Sequence, residues 1–135
     1  MTHPQKLIFT SRIAIRWGDM DANGHVNNTE YFRYMEQARV EWVHSLGARE
    51  VWNEDISVVV VTAGCTFIRQ MEYPGVVEVR ILAEAPGRSS VMTHYELRLN
   101  DNPEPCATGT AKMVWVDAKA GKSTPLPEAV RAALS

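Results

Sequence analysis

Residues 16–31 read Arg-Trp-Gly-Asp-Met-Asp-Ala-Asn-Gly-His-Val-Asn-Asn-Thr-Glu-Tyr. Asp19, Asp21, Asn23, His25, Asn27 and Asn28 put six polar side chains into ten residues. An amphipathic segment follows at once. A carboxylate and several hydrogen-bonding groups therefore sit beside a helix N-terminus, whose unsatisfied N–H groups favour anions. That pairing suits hydrolysis of an acyl compound, because the carbonyl oxygen gathers negative charge during attack. The same residues also satisfy a calcium-loop pattern: Asp19, Asp21, Asn23, Gly24 and Glu30 fall at the required spacing.

The neighbouring segments decide what could hold these groups. Ile13, Ile15 and Trp17 alternate with Arg12, Ala14 and Arg16, which predicts a strand with one buried face. A polar loop covers about 18–27. Tyr31, Tyr34, Met35, Ala38, Trp42 and Leu46 then recur at three- and four-residue spacing, which predicts a helix over about 28–46. Phe32 and Val43 widen its apolar stripe. Asn27 with Glu30 reads as a capping-box pair, and Gly47 as the stop. Asn27 itself reads as a cap and Asp19 as a loop-shaping residue. Further on, residues 57–70 open with an apolar run typical of a covered strand. Val77–Glu84, Val91–Leu99 and 106–117 alternate with period two between short turns, and Leu126–Leu134 reads as a short terminal helix. Short connections favour antiparallel pairing, so the fold class is α+β, with one long helix against an antiparallel five-stranded sheet.

With 135 residues, one domain over 1–135 is expected. Hydrophobic residues make up 45% and charged residues 22%, which argues against disorder. A net charge of −2 without like-charge blocks gives no sign of a nucleic-acid partner, and no apolar run suggests a membrane span. The N-terminal residues do not read as a secretory leader, and Cys65 and Cys106 read as buried free thiols, so a cytoplasmic protein is expected.

A calcium loop of the matching type needs a helix on each side and usually a second copy. Here the preceding segment reads as a strand, and the pattern occurs once. The string Asp-Met-Asp-Ala-Asn-Gly-His-Val-Asn-Asn-Thr-Glu-Tyr instead resembles the active-site loop of hotdog-fold thioesterases. These include enzymes related to 4-hydroxybenzoyl-CoA thioesterase and the plant acyl-carrier-protein thioesterases. The resemblance implies a hotdog fold, a curled antiparallel sheet wrapped around one long helix. It also implies an acyl-CoA thioesterase releasing carboxylic acid and coenzyme A, with no metal and no cofactor beyond the coenzyme A of the substrate.

Residue by residue, Asp21 matches the attacking carboxylate of the 4-hydroxybenzoyl-CoA enzymes. Asp21, Asn23 and His25 fit the plant-type pattern, and Asn28 falls where an oxyanion contact is made. Arg88 and Ser89, in a turn, match positions that hold the coenzyme A portion. The polar run His25–Asn28 departs from the aromatic-specific enzymes, so their substrate is not implied, and Gln70 stands near where plant enzymes carry an acid. Two subunits would join their sheets edge to edge, as a homodimer or a dimer of dimers, each site using both chains. A non-catalytic acyl-CoA-binding module and a calcium site over Asp19–Glu30 are the alternatives.

Other residues have quieter readings. Glu36 either faces the site or pairs with Arg33 or Arg39. His3, His44 and His94 lack metal-ligand spacing. Trp17 and Trp42 read as core.

Overall fold

The computed structural model describes residues 4–135. Its elements in chain order are β1 (Lys6–Ala14), a 3₁₀ turn (Trp17–Asp19), α1 (Asn28–Ser45), α2 (Ala48–Val51), β2 (Ile56–Phe67), β3 (Val76–Ala83), β4 (Ser90–Leu99), β5 (Ala107–Asp117) and α3 (Glu128–Ala133). The strands form one antiparallel sheet in the order β1-β3-β4-β5-β2. It curls around α1, as hotdog proteins do.

The period-two segments fold as expected. Val77, Val79, Ile81 and Ala83 of β3, Val91, Thr93, Tyr95 and Leu97 of β4, and Ala107, Ala111, Met113 and Trp115 of β5 are all buried on the helix side. Against them α1 buries Tyr31, Tyr34, Met35, Ala38, Trp42 and Val43. Close approach of helix and sheet depends on Gly109. A Cβ there would lie 2.4 Å from Met35 Sδ and 3.0 Å from the Gly64 carbonyl oxygen, so any side chain would displace the Met35 side chain that α1 packs on the sheet. Gly47, at φ +88°, ends α1 as expected.

Several expectations need correction. β1 stops at Ala14, and the chain turns into the 3₁₀ segment, so the alternation no longer carries Trp17 inward; it is 73% exposed. The apolar run of β2 is not covered within one chain. Val59, Val60 and Val61 are exposed on β2, an edge strand paired with β5 on one side and with no strand on the other among the described residues. Its ladder also ends at Phe67, since the amides of Ile68 and Arg69 both donate to the Cys106 carbonyl. The α1 cap closes on Thr29 rather than Glu30: the Asn27 side chain accepts from the Thr29 N–H at 2.9 Å. The short helix α2, four residues long, shows no periodic pattern in the sequence. It is tied to the core by Trp115, whose indole N–H donates to the Val51 carbonyl at 3.0 Å.

Candidate active site

The loop between β1 and α1 is built on one buried carboxylate. Asp19, 5% exposed, accepts hydrogen bonds from the Arg16 N–H and the Tyr34 hydroxyl, both at 2.9 Å. Its own carbonyl accepts from the Asn27 N–H. Asp19 thus ties the start and the end of the loop to α1 and shapes it, as its position suggested. Burial, reinforced by Asp19, pushes the Tyr34 phenol far above its ordinary range, so it stays a hydrogen-bond donor.

From this anchor the chain makes a small hairpin. Met20 and Val26 form an antiparallel bridge, and the Asp21 N–H donates to the His25 carbonyl at 2.9 Å. Gly24, at φ +78°, closes the turn, where a side chain would be strained. One Asp21 oxygen accepts from the Asn23 N–H at 2.9 Å; the other accepts no hydrogen bond among the described residues. The Val26 N–H donates to the Met71 carbonyl at 2.8 Å, which docks the hairpin on the segment after β2.

The result is a cavity of about 370 Å³ lined by Asp21, Asn23, His25, Asn28, Tyr31 and the run Phe67–Gln70, with Val26 beneath. All four residues assigned to catalysis from the sequence share it. Asn23 and His25 contact Asp21 through the main chain, not through their side chains. In the first turn of α1, the Thr29 N–H is taken by the Asn27 side chain and the Glu30 N–H by the Asn27 carbonyl. Among the described residues the Asn28 N–H donates to no protein acceptor, which leaves one amide beside Asp21 for a ligand oxygen.

Sequence reasoning missed most of the opposite wall. The helical spacing of Tyr31 predicts a core residue, yet it lines the cavity and meets Phe67 edge-on, with ring centroids 4.9 Å apart. Gln70 does reach the site, and Arg69 beside it brings a cation that no local pattern announced. The one usable signal was position: these residues follow the end of a strand that must run beside the helix.

Arg88 and Ser89 lie elsewhere. Ala14 pairs with Val76 at the site end of the sheet, whereas Ala83 and the turn after it mark the other end. From the first to the last of the eight residues of β3, at roughly 3.3 Å per step, the two ends stand about 23 Å apart. Within one chain, then, these two residues are not brought to Asp21. The Arg88 carbonyl accepts from the Leu126 N–H and the Ser89 carbonyl from the Trp115 N–H, which fixes the turn and leaves the Arg88 side chain exposed.

Glu36 points away from the cavity and pairs with Arg33 at 3.5 Å, while Arg39 lies over the Tyr95 ring at 5.6 Å. His44 is exposed, His94 pairs with Glu84 at 2.6 Å, and His3 lies outside the described residues. A larger depression, about 690 Å³, separates β1 from α1. Its walls include Arg12, Arg16, Arg33 and Glu36, each already ion-paired, and none of the four residues assigned to catalysis lines it. Both cysteines are free thiols. Burial pushes the Cys65 thiol up, opposite to what a nucleophilic thiol needs. The calcium pattern lacks its leading helix, since β1 and the 3₁₀ turn stand there, and among the described residues no three His, Cys, Asp or Glu side chains are grouped so as to hold a metal ion. No helix among them is long and apolar enough to cross a membrane.

Comparison with known proteins places this geometry. The model of the thioesterase-like superfamily matches residues 15–134. The PA2801 protein of Pseudomonas aeruginosa, which carries a thioesterase assignment without a stated substrate, is 37% identical, with a TM-score of 0.90 over 96% of this chain and 100% of that one. The YsmA protein of Bacillus subtilis is 31% identical over 85% of this chain and 77% of its own length. Slr0204 of Synechocystis, a 1,4-dihydroxy-2-naphthoyl-CoA thioesterase, shares the fold, with a TM-score of 0.84 at 18% identity over 93% of this chain and 94% of that one.

Proposed function

The chain belongs to the thioesterase-like superfamily, and from that premise we propose that it hydrolyses acyl-CoA thioesters to a free carboxylic acid and coenzyme A. One observation carries the reading. A carboxylate oxygen of Asp21 and the N–H of Asn28, neither engaged by protein, belong to residues lining the same cavity at the N-terminus of α1. That is the pair an acyl transfer needs: an electron-rich oxygen for the carbonyl carbon and a donor for the carbonyl oxygen. That Slr0204, a CoA thioesterase, has the same fold supports coenzyme A as the carrier.

Two routes use these groups. In one, Asp21 attacks the carbonyl carbon, the C–S bond breaks, coenzyme A leaves as thiolate, and water cleaves the resulting anhydride. In the other, Asp21 takes a proton from a water as that water attacks, and the C–S bond breaks from the tetrahedral intermediate. Negative charge on the oxygen meets the Asn28 N–H in both. A donor of this kind contributes about 3–4 kcal/mol to the transition state in well-studied hydrolases. Thiolate leaves readily, so no separate acid is required.

The substrate's nucleotide portion calls for a second chain. We assign it to Arg88 and Ser89 of a partner copy, in a homodimer or a dimer of dimers. Antiparallel pairing of two β2 edges would set the Phe67 end of one copy beside the Ile56 end of the other. That end of the sheet carries the Arg88 turn, since Ile56 pairs with Asp117 and the Ser89 carbonyl accepts from Trp115 nearby. The free thiols fit a cytoplasmic setting.

A screen of short, long and aromatic acyl-CoAs with free-thiol detection tests the activity. Asp21→Asn is expected to lower kcat roughly a hundredfold or more, with the thermal midpoint unchanged because this side chain is only half-buried. Parental turnover in that variant removes Asp21 from the chemistry. Tight binding of acyl-CoA without turnover by the parent would make the chain a binding module.

A further inference from the structure

We propose that the groove between α1 and β2 holds the acyl chain of the substrate, and that Arg39 selects chains ending in a carboxylate. The inference rests on the thioesterase reading for the reaction, not for the groove. A second cavity, about 290 Å³, opens between α1 and β2. Val40, Val43, Val58, Val60, Met113 and Trp52 line it, and its charged residues are Glu36 and Arg39. It lies on the same helix–strand seam as the catalytic cavity. Asn28 and Phe67, at the start of α1 and the end of β2, line the catalytic one; Val40 and Val58 line the other, further along each element. Between Phe67 and Val60, β2 sets Cys65 and Ala63 opposite Gly109 and Ala111 on the helix side, so no bulky side chain of the sheet separates the two cavities. Ala63 is exposed there. On α1, Phe32 stands one turn from both Asn28 and Glu36 and adds apolar wall.

Arg39 is the residue that an apolar groove does not account for. It is half-buried, its guanidinium carbon lies 5.6 Å from the Tyr95 ring centroid, and Nη1 donates to the Tyr95 hydroxyl at 3.4 Å. That hydroxyl gives its own hydrogen to Thr93 Oγ1 at 2.6 Å, because the Thr93 hydroxyl donates to the Ala111 carbonyl at 2.7 Å. Burial pushes the Tyr95 phenol up, so it is neutral and leaves the charge of Arg39 uncompensated. Among the described residues Arg39 forms no salt bridge; Glu36 pairs with Arg33 instead, at 3.5 Å. No Arg39 nitrogen is both closed off and unpaired, so its unused donors are reachable from the groove. A guanidinium presents those donors in a planar fork that matches a carboxylate. The side chain of a helical residue leans toward the helix N-terminus, here toward the catalytic cavity. Tyr95, beneath Arg39, pairs with Gly109, which pairs with Cys65. Cys65 and Ala63 lie two and four residues from Phe67, so at roughly 3.3 Å per residue the cation stands about 7–13 Å along the seam. A methyl end placed there would strip water from the cation and return nothing, whereas a carboxylate end returns a charge-assisted pair.

The test compares two acyl-CoAs of equal carbon number, suberoyl-CoA with a terminal carboxylate and octanoyl-CoA without one. The parent should show a kcat/KM roughly tenfold or more higher for suberoyl-CoA. Arg39→Met, which keeps an apolar stem, should remove that advantage and leave the octanoyl-CoA value within about twofold, which also reports that the variant is folded. Arg39→Lys, which keeps the charge without the fork, should retain part of the preference. A parent that does not prefer suberoyl-CoA, or equal losses on both substrates in Arg39→Met, overturns the proposal. Sedimentation covers the competing occupant: an Arg39→Met protein that dissociates and loses both activities alike makes Arg39 a contact to a second copy and overturns the proposal. Thioether analogues of the two substrates, which cannot be hydrolysed, separate groove from reaction by calorimetry. The carboxylate-ended analogue should bind roughly tenfold more tightly than the methyl-ended one in the parent, and no more tightly in Arg39→Met. That result in a protein that hydrolyses no acyl-CoA would sustain the groove and remove the thioesterase reading. Equal binding of the two analogues by an active parent would keep the thioesterase reading and overturn the selection by Arg39.

Discussion

The two edges of the sheet differ in kind. β1 carries Lys6 and Arg12 and is interrupted by a register shift between Leu7 and Phe9. β2 is the longest strand, twelve residues without a charge, and it exposes Val59, Val60 and Val61. Charges on an edge keep it from pairing with another chain; β2, which carries a register shift of its own between Val60 and Thr62, has none. Both edges also feed the site. β1 leads into the loop that carries Asp21, and β2 leads into the wall of Phe67–Gln70. The charged edge leads into one wall of the cavity, and the uncharged edge leads into the other.

The largest expected effect comes from closing the open edge. Val61 is 53% exposed, so Val61→Lys should leave the fold of a single chain intact. If β2 joins two copies, sedimentation should show dissociation at least a hundredfold weaker in affinity, about 2.7 kcal/mol. Hydrolysis should fall with it, because each site would lose its partner's Arg88. Leu7→Lys, the same change on β1, where Leu7 is 48% exposed, should alter neither. A Val61→Lys protein that stays dimeric and active at micromolar concentration would break the contrast.

This difference explains what the sequence made legible. Strands β3, β4 and β5 have a covered face and a solvent face, so their alternation names the buried residues correctly from Val77 to Trp115. The Asp21–Asn28 cluster is contiguous and precedes a capped helix, so local pattern was enough to find it. β2 misled, because an apolar run reads as covered whether the cover is the same chain or another one. Trp17 misled because two-residue alternation says nothing about where a strand stops. Arg69 and Gln70 line the cavity where the long-range bond between Val26 and Met71 joins their segment to the hairpin, and no spacing along the chain encodes that.

A middle-sized effect separates holding the site from using it. Asp19 and Asp21 are two residues apart, yet one is buried under Tyr34 and the other faces the cavity. Asp19→Ala would leave the Tyr34 hydroxyl without an acceptor in a buried place. That should cost about 1–3 kcal/mol, read from the urea midpoint, and lower activity as the loop loosens. Against it, Asp21→Asn should lose activity at constant stability. Equal stability losses in the two variants would mean that the loop is held by both carboxylates and that the division of labour is wrong.

The smallest stability effect is expected at Arg12, and its size bears on why β1 is charged at all. Arg12 contacts Glu78 at 3.2 Å and Asp101 at 2.9 Å, with about half of its side chain in solvent. Asp101 raises its pKa further, so it remains a cation throughout the working range. Exposed pairs of this kind contribute little to stability, so any loss in Arg12→Val should stay within the error of a urea-midpoint comparison. Its consequence should appear in association instead. With Arg12 gone the middle of β1 becomes an uncharged edge like β2, and light scattering should show concentration-dependent aggregation that the parent lacks. A stability loss well above that error, with no change in association, would make the charge a fastener of the sheet rather than a guard on its edge.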